Sequence, residues 1–175
     1  MKKRPAPECF PRLQQGAGLI EVLVALMVLA IGILGYAGMQ LAAMKSAEVA
    51  HERSLATGLA QDVLERMQAN PRANHLANGL WPDEGVDPGS FSEWNRCTAQ
   101  SCNPDQMARW EADSARWLAG QLLPEGRVVV RECLYATGLT CVVVSWKGQA
   151  ADDCLTNSGI KATLDAACLV LEVAR

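Results

Sequence analysis

Basic residues and histidines are scarce in this sequence. Lys and Arg number 16 against 19 Asp and Glu, a formal net charge of -3 with a pI near 5.4. The chain therefore has no basic surface with which to grip a phosphate backbone, and nucleic acid is not an expected partner. Histidine occurs twice, as His51 and His75. No C-x-x-C and no paired-histidine spacing is present, so neither a zinc site nor a dithiol redox motif is expected. Ser, His and Asp occur in no arrangement that supplies a nucleophile with its base. No catalytic residue, metal or cofactor is expected, and an enzyme, such as a membrane-tethered periplasmic hydrolase, is the weakest reading.

Two things are plentiful. Seven cysteines in 175 residues is many for a reducing compartment, and an odd count is awkward for an oxidising one. The mean hydropathy of +0.04 averages unlike parts. From Val22 to Met39, 18 residues (VLVALMVLAIGILGYAGM) carry no charge. As a helix this run covers about 27 Å, and with residues 17–20 about 33 Å, the thickness of a bilayer's hydrocarbon core. A helix apolar on every side needs apolar surroundings on every side, and the rest of the chain is too small to provide them. Lys2, Lys3, Arg4 and Arg12 precede the run against one acid, Glu8. Residues 1–16 are thus expected in the cytoplasm and the C-terminal bulk across the membrane. A secretory signal peptide fits less well, because its apolar region is about 7 to 15 residues and ends at small residues, whereas helical character here continues through Gln40–Met44.

Glu21 interrupts the apolar segment near its start, between Leu19-Ile20 and Val22-Leu23-Val24. A carboxylate there costs about 2 to 3 kcal/mol if held deep in a bilayer. It favours a helix N-terminus, but a simple anchor has no use for it. The stretch QQGAGLIEVLVALMVLAIGILG resembles the class III signal segment of type IV pilins and pseudopilins. In that family a basic leader ends in Gly, a prepilin peptidase cuts after it, and Glu stands fifth in the mature chain. The resemblance implies cleavage between Gly16 and Ala17, N-methylation of Ala17, and a role for Glu21 in neutralising the Ala17 ammonium of a neighbouring subunit, which sets axial register.

Beyond Met39 the pattern becomes amphipathic, with Leu55, Leu59, Val63 and Met67 on one face and Glu48, Glu52, Arg53, Asp62, Glu65 and Arg66 as solvated charge. Asp62 and Arg66 are spaced for an i,i+4 pair, and Asn70-Pro71 marks the stop. A single helix of about 53 residues, from Ala17 to Ala69, is expected. Gly32, Gly35 and Gly38 lie inside it and weaken it; they are read as ordinary membrane-helix glycines, with a local melting point during assembly as the alternative. The expected division is a leader (1–16), a membrane-spanning or fibre-core half-helix (17–39), an amphipathic half (40–70) and a periplasmic head (71–175).

In the head, residues 71–102 read as a long loop. Asn103-Pro104-Asp105-Gln106 reads as a capped helix start. That helix is expected to run to Leu122 and to turn Met107, Trp110, Trp117 and Leu118 toward the core. Arg127–Leu134, Thr140–Lys147 and Cys168–Ala174 read as strands, the first two as a hairpin. The result is an α+β head in which a small antiparallel sheet packs on the long helix, a type IV pilin-like fold. ERMQANPRA, the helix followed by Leu-Pro-x-Gly, SWKG and the last Cys-bearing strand resemble the PilV group, the type IV pilus modification proteins, which are minor pilins.

Cleavage after Gly16 removes Cys9 and leaves Cys97, Cys102, Cys133, Cys141, Cys154 and Cys168 on the exported side, where disulfides form. Nearest-neighbour pairing is expected: Cys97–Cys102, Cys133–Cys141 and Cys154–Cys168. The resemblance implies a minor pilin that primes the type IV pilus near its tip. Its implied partners are other minor pilins, a tip adhesin, the major pilin, the prepilin peptidase and the inner-membrane assembly platform. A minor pseudopilin of a type II secretion system is the alternative. In either case the chain is expected as a single-span protein of the bacterial inner membrane before assembly, and in the fibre afterwards.

Overall fold

The computed structural model describes residues 18–76, 80–82, 96–161 and 166–174. Gly16, Ala17 and Cys9 lie outside the described residues, as do Phe91 and Trp94. The chain divides into two compact units, Met1–Ser46 and Ala47–Arg175.

Helix α1 spans Leu19–Ala69, 51 residues. It opens with the amides of Glu21 and Val22 bonded to the Gly18 carbonyl and ends with the Asn70 amide on the Arg66 carbonyl, one residue before Pro71. A proline there cannot continue the ladder. In the first unit every described residue of the helix is exposed, and its most apolar 18-residue stretch has a mean hydropathy of 2.5.

The second unit is α+β. The last turns of α1 bury Ala56, Leu59, Ala60 and Val63. A short helix α2 (Arg96–Ala99) precedes α3 (Pro104–Leu122), whose start has the expected capping box: the Asn103 side chain accepts from the Gln106 amide and the Gln106 side chain accepts from the Asn103 amide. The buried line of α3 differs from the expected one. It is Ala108, Ala112, Ser114, Ala115 and Ala119, while Met107, Trp110, Trp117 and Leu118 are half-buried, with Leu118 packed against the core as expected. Small side chains let α3 lie close to its neighbours, and a hydropathy-led reading favours the larger residues instead.

Strands β1 (Arg127–Glu132) and β2 (Leu139–Ser145) form the expected hairpin; β1 ends two residues before the expected Leu134, and β2 starts one residue before the expected Thr140 and ends two before Lys147. A 3-10 turn (Ala151–Asp153) and a two-residue ribbon, β3 (Leu155–Thr156) with β4 (Gly159–Ile160), follow, and β5 (Cys168–Ala174) closes the chain. The three-stranded antiparallel sheet has the order β1-β2-β5. Its register places Val128, Val130, Val142, Val144, Leu169 and Leu171 on one face, and Val129, Cys141, Val143, Ser145, Cys168 and Val170 on the other. A cavity of about 490 Å³ bounded by Leu64, Met67, Thr140, Val142 and Val173 shows that the first face looks toward α1. The second face lies under the 3-10 turn, tied there by Arg131 bonded to Asp152. Central strand β2 is therefore buried on both faces, which explains its unbroken apolar run.

Candidate functional site

Three sets of residues bear on function: the apolar helix with its single acid, the contacts that hold α1 to the sheet, and the cysteines.

Glu21 occupies the first turn of α1, where a carboxylate meets the positive end of the helix dipole. Around it Leu19, Ile20, Val22, Leu23 and Val24 are all exposed, and the exposed apolar surface continues through Met39. Contiguous apolar surface on this scale needs lipid or other helices to cover it. Among the described residues no cation pairs with Glu21.

In the second unit the expected Asp62–Arg66 pair forms at 2.8 Å, and Arg66 also donates to the Ser114 hydroxyl of α3. Glu52 departs from the sequence reading. Instead of facing solvent it is 6% exposed, accepting from Trp146 Nε1 at 3.0 Å and from Lys147 Nζ at 2.8 Å. Beside it Arg53 donates to the Ala166 carbonyl at 3.4 Å. A charge is tolerated under this much protein when it is paired and hydrogen-bonded, and its partners are 94 and 95 residues away. One signal is available, since Glu52 falls one turn before Ala56 and two turns before Leu59 on the face that packs.

Where α1 ends, Glu111 of α3 faces Arg66, His75, Asp62 and Asn70. Burial, the dominant influence, raises its carboxyl above the ordinary range against the pull of His75 and Arg66. The Glu111 Oε2 atom has no hydrogen-bond partner among the described residues. His75 is occupied structurally: its Nε2 sits 2.8 Å from the Asn70 carbonyl, and its own carbonyl accepts from Trp81 Nε1 at 3.0 Å. Among the described residues no group of three His, Cys, Asp or Glu side chains could hold a metal ion.

The sulfurs of Cys97 and Cys102 lie at 1.99 Å, joining α2 to the residue before the α3 cap. Those of Cys133 and Cys141 lie at 2.01 Å across the hairpin end. The expected third bridge differs. Cys154 and Cys168 stand as thiols, held side by side in a hydrogen bond.

Residues 11–37 match the prokaryotic N-terminal methylation motif, the segment that holds Gly16, Ala17 and Glu21. Residues 38–113 match Tt1218-like, the type IV pilin Tt1218 family. A stretch similar to type IV pilins thus follows one similar to the prepilin methylation motif. Comparison with curated proteins and with solved structures finds no match. Type IV pilins are structural, non-enzymatic proteins, and a long N-terminal helix followed by a small antiparallel sheet is the pilin-like α+β architecture. The pilin segment takes in the second half of α1, α2 and the first half of α3. It stops before the sheet, and Cys133, Cys141, Cys154 and Cys168 all lie beyond it.

Proposed function

We propose that this chain is a minor pilin, a structural subunit that primes type IV pilus assembly and enters the fibre near its tip, supporting twitching motility and adhesion. One observation carries the reading: an exposed helical run, apolar on all sides and with one acid in its first turn, begins inside a stretch that matches the N-terminal methylation motif. On this reading the prepilin peptidase cuts between Gly16 and Ala17, and Ala17 is N-methylated. Residues 17–39 cross the inner membrane once before assembly, with residues 71–175 in the periplasm. Glu21 then neutralises the Ala17 ammonium of an adjacent subunit, turning two costly charges in an apolar fibre core into one pair.

The helix from residue 40 to 70 carries the head, and the head meets the other minor pilins, the tip adhesin and the major pilin. The assembly platform of the inner membrane extracts the subunit from the bilayer. The likeness to the PilV group belongs to this proposal as well.

A deletion strain complemented with the full chain tests it. Loss of surface pili and twitching, restored by complementation, supports the proposal. Loss of exoprotein secretion with normal pili replaces it with a type II secretion pseudopilin. Mass analysis of the native N-terminus should give a chain beginning at methylated Ala17 and lacking Cys9.

A further inference from the structure

We propose that Cys154 and Cys168 form a thiol-oxidation site in which Cys168 is the entry point for a disulfide-carrying oxidant and Cys154 is the buried thiol that expels it. The third bridge then forms after the head has folded, through contacts that the fold supplies.

Three features of the structure support this order. The two thiols already share a hydrogen bond, although the β3–β4 ribbon lies between them along the chain. Cys154 is 0% exposed, its thiol 3.6 Å from the Ala150 carbonyl and its own carbonyl bonded to the Lys161 amide at 3.0 Å. No oxidant reaches it directly. Cys168 is half-buried and opens edge strand β5, opposite Ser145 of β2.

The surroundings also favour the thiolate form of Cys168. The hydrogen bond from Cys154 holds its thiol below the ordinary range. Burial opposes this, Arg53 and Lys161 add to the lowering, and Asp153 works against it. A thiolate attacks a disulfide and a thiol does not.

The chemistry balances as thiol–disulfide exchange. The Cys168 thiolate attacks one sulfur of the oxidant's disulfide, the oxidant's S–S bond breaks, and the departing thiolate takes up the proton Cys168 has given up. Cys154 then loses its proton and attacks the Cys168 sulfur, expelling the second oxidant thiol. Two protein thiols become one disulfide, and one oxidant disulfide becomes two thiols. The new bond ties the first residue of β5 to the 3-10 turn that covers the far face of the sheet. Until it forms, β5 is held at this end by the hydrogen bonds of the Ala166 and Ala167 backbone to Arg53, Trp146 and Gln149.

The experiment uses the processed full-length chain in detergent, titrated with a phosphine until the peptides carrying Cys154 and Cys168 are reduced, then treated with oxidised glutathione and followed by peptide mass. Wild type should finish with Cys154 joined to Cys168 and no glutathione retained. Cys154→Ser should keep one glutathione on Cys168. Cys168→Ser should take up glutathione at Cys154 at least about tenfold more slowly than Cys154→Ser does at Cys168. Equal uptake by the two variants, or wild type that retains glutathione without closing, overturns the proposal. If a serine variant does not fold, limited alkylation of the reduced wild type with iodoacetamide decides: Cys168 modified first supports the order, and Cys154 modified first refutes it.

Discussion

The Glu52 carboxylate on α1 is bound to Trp146 at the end of β2 by a 3.0 Å hydrogen bond that spans 94 residues of sequence. It is a buried polar contact between the helix and the sheet, and Lys147 completes it with a 2.8 Å ion pair whose lysine end is half exposed.

Replacing Glu52 tests how far this contact matters. Glu52→Ala leaves the Trp146 N–H buried without an acceptor, a loss of about 1 to 3 kcal/mol. The half-exposed ion pair adds little, because water screens it. Glu52→Gln keeps an acceptor for Trp146 and should fall between wild type and alanine in thermal unfolding. Equal stability of all three chains would show that the buried carboxylate contributes nothing.

Glu111 gives a dependence on pH. Its folded-state pKa is raised by burial, so folding disfavours its ionised form. The resulting penalty is absent below the unfolded pKa, where the group is protonated in both states. It grows as pH rises through the interval up to the folded pKa and is then constant. Glu111→Gln should therefore be more stable than wild type at neutral pH, with the advantage vanishing as pH falls below about 4.3, the ordinary glutamate value. Denaturation midpoints across that range provide the measurement.

Gly126 sits where no side chain fits. A Cβ on it would stand 2.1 Å from the Ala119 carbonyl oxygen at the end of α3, and both contacts under 3 Å on that residue are backbone atoms. Gly126→Ala must shift the α3–β1 turn and should cost about 1 to 3 kcal/mol. The adjacent Glu125 has a φ of 52°, a left-handed conformation that glycine adopts at less cost. Glu125→Gly should therefore be tolerated in the same unfolding assay.

Glu21 separates insertion from assembly. Glu21→Ala removes the only charge from the start of an apolar helix, so the subunit should still fractionate with membranes. It should be missing from sheared fibres, since the partner ammonium then has no counter-charge. Immunoblots of both fractions measure this, and normal fibre incorporation would refute the register role proposed for Glu21.

Features with local causes were legible in the sequence. The 51-residue helix follows from an uninterrupted run of helix-compatible residues ended by Pro71, and the α3 cap from four residues, Asn103 to Gln106. The three main strands follow from runs of Val and Leu between turns. The methylation-motif match, which holds Gly16 and Glu21, is legible for the same reason, because it is a short run of contiguous sequence.

Long-range contacts were not legible. Periodicity places Glu52 among the solvated charges, yet Trp146 and Lys147 fold back over it and bury it. Hydropathy favours the tryptophans of α3 over its alanines, because the value of a small side chain lies in how closely a neighbouring element, here β1, approaches. Spacing put Cys154 beside Cys168, but the depth of one thiol and the partial exposure of the other depend on the 3-10 turn lying against the sheet. Short stretches of chain specify the helix, its cap and its membrane-facing character, since those depend on neighbours in sequence. Which charges are buried, which small residues pack and which thiols meet depend on neighbours in space, and those exist only once the sheet has closed on the helix.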